Sequence, residues 1–161
     1  MTGGLDKFNA LSPEEAEAQL RRCGGSGQWA RAMSAERPFP TPEAAWEAAD
    51  RAWNGLDREG WLEAFRSHPR IGDRRVSGRE AEEQAGASSA SQQVSDALAR
   101  GNRAYEERFG HIYIVFASGK SAEEMLRLLE ERLGNDPDTE LAAAAAEHRK
   151  ITRLRLEKLL A

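Results

Sequence analysis

A single cysteine, three histidines and no long apolar run are the first constraints this chain imposes. Cys23 has no second cysteine to pair with, so no internal disulfide can form, and the sequence fits a reducing compartment. A small buried hydrophobe is its plainer role, a nucleophile the sharper one. No two cysteines or histidines share the local spacing of a zinc site. His68, His111 and His148 could meet only in space, with Asp73, and no metal is expected. No apolar stretch approaches the roughly 18 residues or more of a membrane span, so no membrane association is expected. The 23 basic and 27 acidic residues nearly balance, at a net charge of −4, which gives no reason to expect a nucleic acid partner. The start, MTGGLDKFNALSPEE, lacks the basic-then-apolar order of a signal peptide, and the end, KLLA, is not the peroxisomal SKL. A bacterial cytoplasm is therefore the expected location.

Strand signals are scarce as well. Only HIYIVFASGK carries β-favouring residues, and a lone strand has no partner, so it reads as a buried extended loop. Everything else reads as helix after helix. Ser12, Thr41, Asp57 and Ser121 stand as N-caps, Pro13 and Pro42 as first helical residues, and Glu15 and Glu124 three positions after their caps. A short helix is expected in GQWARAMSA, and one long polar helix from Ser77 to Phe109 with a possible break near GASSAS. Another runs from Ser121 to a Gly134-Asn135 stop, and the last begins in DPDTEL and runs to the end. The five alanines at 142–146 suggest a close helix–helix contact. The expectation is an all-α fold, a single domain over residues 1–161, with about seven to nine helices around one buried extended loop.

Three places could carry chemistry. In FRSHPRIGDRR, proline disfavours helical backbone in the residue before it, so the helix should stop at about Ser67 and His68 should leave it. The helix C-terminus favours a protonated imidazole, while Arg66, Arg70, Arg74 and Arg75 oppose it. His68 is thus either a helix-end histidine or a group titrating near neutrality, as proton transfer needs. In the last helix, Ile151, Arg155 and Leu159 fall on one side and His148 points the same way. A buried arginine needs an anion, supplied either by an internal carboxylate or by a ligand. Glu80, Glu83, Gln84 and Ala87 form a stripe that is either a solvated acidic face or a grip on a ligand rich in N–H and C=O groups. SGKS at 118–121 resembles the tail of a phosphate loop, but the glycine such a loop requires is Ile114 here.

AFRSHPRIG, EEQAG, NRAYEERFG, IYIVFASGKSAEEML, ERLGND and HRKITRLRLEKLL occur in this order, after FNALSPEEAEAQLRRC and ERPFPT. The ordered set resembles the 2-oxo-4-hydroxy-4-carboxy-5-ureidoimidazoline (OHCU) decarboxylases of purine catabolism, over nearly the whole chain. The resemblance implies an all-helical enzyme without cofactor or metal, acting on a small molecule in the last step from urate towards (S)-allantoin. It is compatible with a homodimer. By matching position it makes His68 the catalytic histidine, with Pro69 fixing its direction. It assigns Glu80, Glu83, Gln84 and Arg155 to the substrate pocket. Main-chain groups of Ile114, Val115, Phe116 and Ala117 would hold the substrate ring. Two departures stand out: Glu80, where many members have serine, and His111, where an apolar residue is usual. A member shifted to a related ureido or hydantoin acid, and a non-catalytic helical module, are the alternatives.

Overall fold

The computed structural model describes residues 3–71, 78–88 and 91–161, and among them there are helices and no strand. Ten helical segments follow one another: α1 (Gly4–Asn9), α2 (Pro13–Gly24), α3 (Gly27–Ala35), α4 (Pro42–Asn54), α5 (Arg58–Arg66), α6 (Gly78–Glu83), α7 (Ala85–Ser88), α8 (Gln92–Phe109), α9 (Ala122–Arg132) and α10 (Pro137–Leu159). The fold is all-α, as expected. The side chains of Ser12, Thr41, Asp57 and Ser121 each accept the N–H three residues on, so the four caps read from the sequence form as capping bonds. The long helix expected over residues 77–109, with a break near GASSAS, is three segments: a break falls there as expected, and a second one separates α6 from α7. The last of them begins afresh at a Ser91 cap, whose Oγ accepts from the Val94 N–H.

Contacts group the chain into two compact units, Met1–Ser67 with His148–Ala161, and His68–Glu147. The first unit is packed around aromatics, two of which bond main-chain carbonyls through their indole N–H groups. Trp29 Nε1 donates to the Ala49 carbonyl and Trp61 Nε1 to that of Trp53, each at 3.0 Å. Trp53 stacks on His148, with centroids 4.7 Å apart and planes 8° apart. Asn9 bonds both main-chain groups of Phe39, and Arg37 Nη1 donates to the carbonyls of Phe8 and Leu11, closing the end of α1. Cys23 is buried in this unit.

The second unit is built on α8, α9 and the first half of α10, around a core of Leu98, Tyr105, Tyr113, Val115, Met125 and Leu129. A buried charge cluster sits within that core. Glu140, with no exposed surface, accepts from Arg132 Nε at 2.8 Å, from Asn135 Nδ2 at 3.1 Å and from the Tyr105 hydroxyl. The pair ties the end of α9 to the start of α10. Removing one partner of such a pair leaves the other charge buried without compensation. Glu140→Ala is therefore expected to destabilise the protein by about 3–5 kcal/mol, measured as a lower urea midpoint. A loss under about 1 kcal/mol would mean the cluster is not desolvated in solution.

Candidate functional site

His68 lies just beyond the α5 C-cap Ser67, where Pro69 forbids further helix. The residue is half-buried, with its ring Nε2 shielded from solvent. The segment that follows is fastened to α8 from two positions four residues apart on one helix face. Asn102, itself buried, donates to the Ile71 carbonyl at 3.1 Å. Glu106 takes a two-pronged bond from Arg70, at 2.9 and 2.8 Å. Arg66 lies 3.5 Å from Glu59, so two of the four flanking arginines face carboxylates rather than the imidazole. Gly72, Asp73, Arg74 and Arg75 lie outside the described residues.

Glu80 and Glu83 fall on α6, half-buried, with Glu80 3.5 Å from Arg79. Gln84 is buried in the turn between α6 and α7, its main-chain N–H closing on the Glu80 carbonyl at 3.0 Å. The side chain of Ala87, the end of the expected stripe, lies outside the described residues. α7 rests directly on the backbone of Lys120 and Ser121: a Cβ at Gly86 would overlap the Lys120 carbonyl. The Glu83–Gln84 corner and the end of the extended stretch are thereby held close together within this unit.

That stretch, residues 112–117, has no regular secondary structure, as the sequence indicates. Ile114, Val115 and Ala117 are buried and Phe116 is half-buried. Side chains, not a neighbouring strand, bond several of its peptide groups. Arg132 Nη1 donates to the Ile114 carbonyl. Glu147 Oε1 accepts from the Phe116 N–H at 3.1 Å, and Lys120 Nζ donates to the Phe116 carbonyl at 2.7 Å. The stretch ends in a turn closed by Lys120 N–H on the Ala117 carbonyl, with Gly119 at φ 78°. Arg132, Lys120 and Glu147 were not singled out by the sequence, because their partners are main-chain atoms up to 31 residues away.

In the first unit, Arg155 is 6% exposed and Ile151 and His148 are buried, whereas Arg149, Lys150 and Arg153 are exposed, so the face read from helical spacing is the buried face. His148 is a core histidine, between Trp53 and Phe65, with Nδ1 3.1 Å from the Thr152 hydroxyl. His111 is buried too, against Tyr105 and Phe109. Among the described residues no cluster of three or more acidic, histidine or cysteine side chains could hold a metal ion. An open polar cleft of about 520 Å³ in the first unit, lined by Arg21, Arg31, Asp57 and Glu63, contains none of the candidate residues.

The family model described as OHCU decarboxylase matches residues 9–157. The chain is 38% identical over 157 residues to the uric acid degradation bifunctional protein TTL of Arabidopsis thaliana, covering 92% of this chain and 48% of that protein. It is 29% identical to the 2-oxo-4-hydroxy-4-carboxy-5-ureidoimidazoline decarboxylase of Haloferax volcanii, over 94% of this chain and 93% of that one. The chain thus spans about half the length of the Arabidopsis protein, and 32% of the bifunctional PucL of Bacillus subtilis. Its fold matches a crystal structure of OHCU decarboxylase in the presence of (S)-allantoin, with TM-score 0.80 and 36% identity over 93% of this chain and 99% of that one.

Tyr113 within the stretch and Tyr105 beside it have a consequence for pH. Burial, with the Glu140 bond in one case, pushes the Tyr105 and Tyr113 hydroxyls above the usual tyrosine range against the pull of Arg132. The folded chain therefore holds these protons more tightly than the unfolded chain, where tyrosine titrates near about 10. Their contribution to stability is complete below that value and is lost as pH rises above it. Unfolding midpoints measured from about pH 8 to 11 should fall across the upper half of this range. The fall should be shallower in Tyr113→Phe; equal slopes in the two proteins would contradict the assignment.

Proposed function

The chain belongs to the OHCU decarboxylase family, and we propose that it converts 2-oxo-4-hydroxy-4-carboxy-5-ureidoimidazoline to (S)-allantoin with its own side chains alone. The observation that carries this reading is the family match across residues 9–157, a span that includes every candidate residue. The substrate's chemistry supports it. The carboxylate sits on a carbon bearing a hydroxyl, next to a ring carbon doubly bonded to nitrogen. When the bond to the carboxylate breaks, its electron pair forms a carbon–carbon double bond and the C=N pair moves onto nitrogen. Carbon dioxide leaves, so the substrate provides its own electron sink. The hydroxyl then loses its proton to become a carbonyl, and the ring nitrogen and the ureido-bearing carbon each gain one. The net requirement is one proton from solution.

In this reading His68, directed by Pro69, handles the proton movements at the reacting carbons, and delivery to one face sets the (S) product. Its place after a helix end, on a segment pinned by Asn102 and Glu106, supports a fixed direction for the ring. Glu83 grips the ureido N–H groups, Gln84 assists, and Glu80 lies at the edge of the substrate. The main-chain groups of Ile114, Val115, Phe116 and Ala117 hold the ring. Arg155 acts where negative charge develops, at the enolate-like oxygen, because pairing with the departing carboxylate would favour the ground state. We read residues 1–161 as one functional domain of a cytoplasmic bacterial enzyme, a homodimer that engages neither nucleic acid nor membrane. The single buried cysteine and the near-balanced charge support that setting, and the resemblance supports the dimer.

His68→Asn keeps the size of the side chain and removes the titrating group. It is expected to lower kcat by about 10²–10⁴-fold, followed as decay of substrate absorbance after generation in situ from urate. Activity within about threefold of the parent would remove His68 from the reaction.

A further inference from the structure

An extended segment inside a helical core poses a problem that a sheet would solve for itself. Each peptide group in it needs a partner, and no neighbouring strand supplies one. In extended backbone the N–H and C=O of one residue share an edge, and those of the next residue take the opposite edge. Along 112–117 the carbonyls of the even residues and the Phe116 N–H take side-chain partners, and the Ala117 carbonyl closes on the Lys120 N–H. His111 Nδ1 lies 3.0 Å from the Ile112 carbonyl, Arg132 donates to that of Ile114, and both groups of Phe116 are bound, by Glu147 and Lys120. Among the described residues neither main-chain group of Val115 has such a partner, although Val115 is only 3% exposed. One edge is therefore gripped by side chains, and the other presents a buried donor and acceptor as a strand edge would.

Glu147 is the member of the grip that binds an N–H. It lies on α10, half-buried, so a rigid helix carries the carboxylate that fixes the stretch. We propose that Glu147 is a positioning residue of the reaction: by holding the Phe116 N–H it sets the direction of the Val115 edge that meets the substrate. The proposal rests on the reading that residues 114–117 hold the substrate ring. Glu147 takes no proton and touches no reacting atom. It acts through Phe116, so its loss weakens ground-state and transition-state binding alike, which raises KM and leaves kcat.

The test has two arms, so that failure of this inference and failure of the functional reading look different. In the first, steady-state kinetics on substrate generated in situ compare the parent with Glu147→Ala and Glu147→Gln. The alanine variant should raise KM by about tenfold with kcat within about threefold. Glutamine, whose side-chain carbonyl can still accept the Phe116 N–H, should restore most of the difference. An unchanged KM in an active alanine variant overturns the proposal, as does a fall in kcat alone, the mark of a smaller folded fraction. So does a glutamine variant no better than alanine. In the second arm, amide hydrogen exchange at Phe116 is followed by NMR, with no substrate present. Slow exchange in the parent, faster exchange in the alanine variant and exchange close to the parent's in the glutamine variant are expected. Fast exchange in the parent, or no change in the alanine variant, overturns the proposal whatever the protein decarboxylates. An inactive parent with the expected exchange behaviour would instead fail the functional reading alone.

Discussion

Six residues of extended backbone within a helical core depend on one requirement: with no neighbouring strand, side chains must bond one edge of their peptide groups. Two charged residues of the second unit, Arg132 and Glu140, follow from that requirement. Arg132 donates to the Ile114 carbonyl, and an arginine so deeply buried needs a countercharge, which Glu140 supplies. Burial works against the Arg132 charge, but the bond and charge of Glu140 outweigh it and hold the guanidinium protonated. Glu140 in turn fixes Tyr105 and Asn135, and the Tyr105 and Tyr113 rings lie under the guanidinium. The cost of burying so much polarity is offset only because each group is bonded. The arrangement yields a rigid non-helical edge, which a helix could not provide, since its own peptide groups are already paired.

The same logic explains why His68 stands where it does. In the proposed reaction His68 moves protons, and such a group needs a fixed direction more than it needs strong binding. The direction comes from a helix stop followed by two anchors on α8, a buried amide and a bidentate ion pair. The flanking arginines, which look in the sequence like a cationic patch around the imidazole, are in part taken up by Glu59 and Glu106.

Local features were the legible ones. Caps at Ser12, Thr41, Asp57 and Ser121 act within three residues, so the sequence carries them directly. The buried face of α10 followed from periodicity, because Arg155 falls between apolar residues one turn apart. Helix α1 was missed: its cap is Gly3, with no side-chain bond to signal it. The break before α8 was blurred by a run of small residues, in which Ser91 is one serine among several. The Arg132–Glu140–Tyr105 cluster gave no signal, since Tyr105 and Glu140 are 35 residues apart and neither is unusual in its own helix. His111 looked like a departure near the substrate, and its surroundings are the aromatic core. The ordered motifs carried the family, which spacing and composition alone could not.

Stereochemistry tests the central claim most directly, because spontaneous decay of the substrate gives no optical preference. The unstable substrate would be generated from urate by the two preceding enzymes, this protein added, and circular dichroism followed as allantoin forms. The account expects prompt growth of the (S)-allantoin signal, absent when the protein is left out. A slow, optically silent product in its presence would contradict the account and leave a family fold without the family reaction.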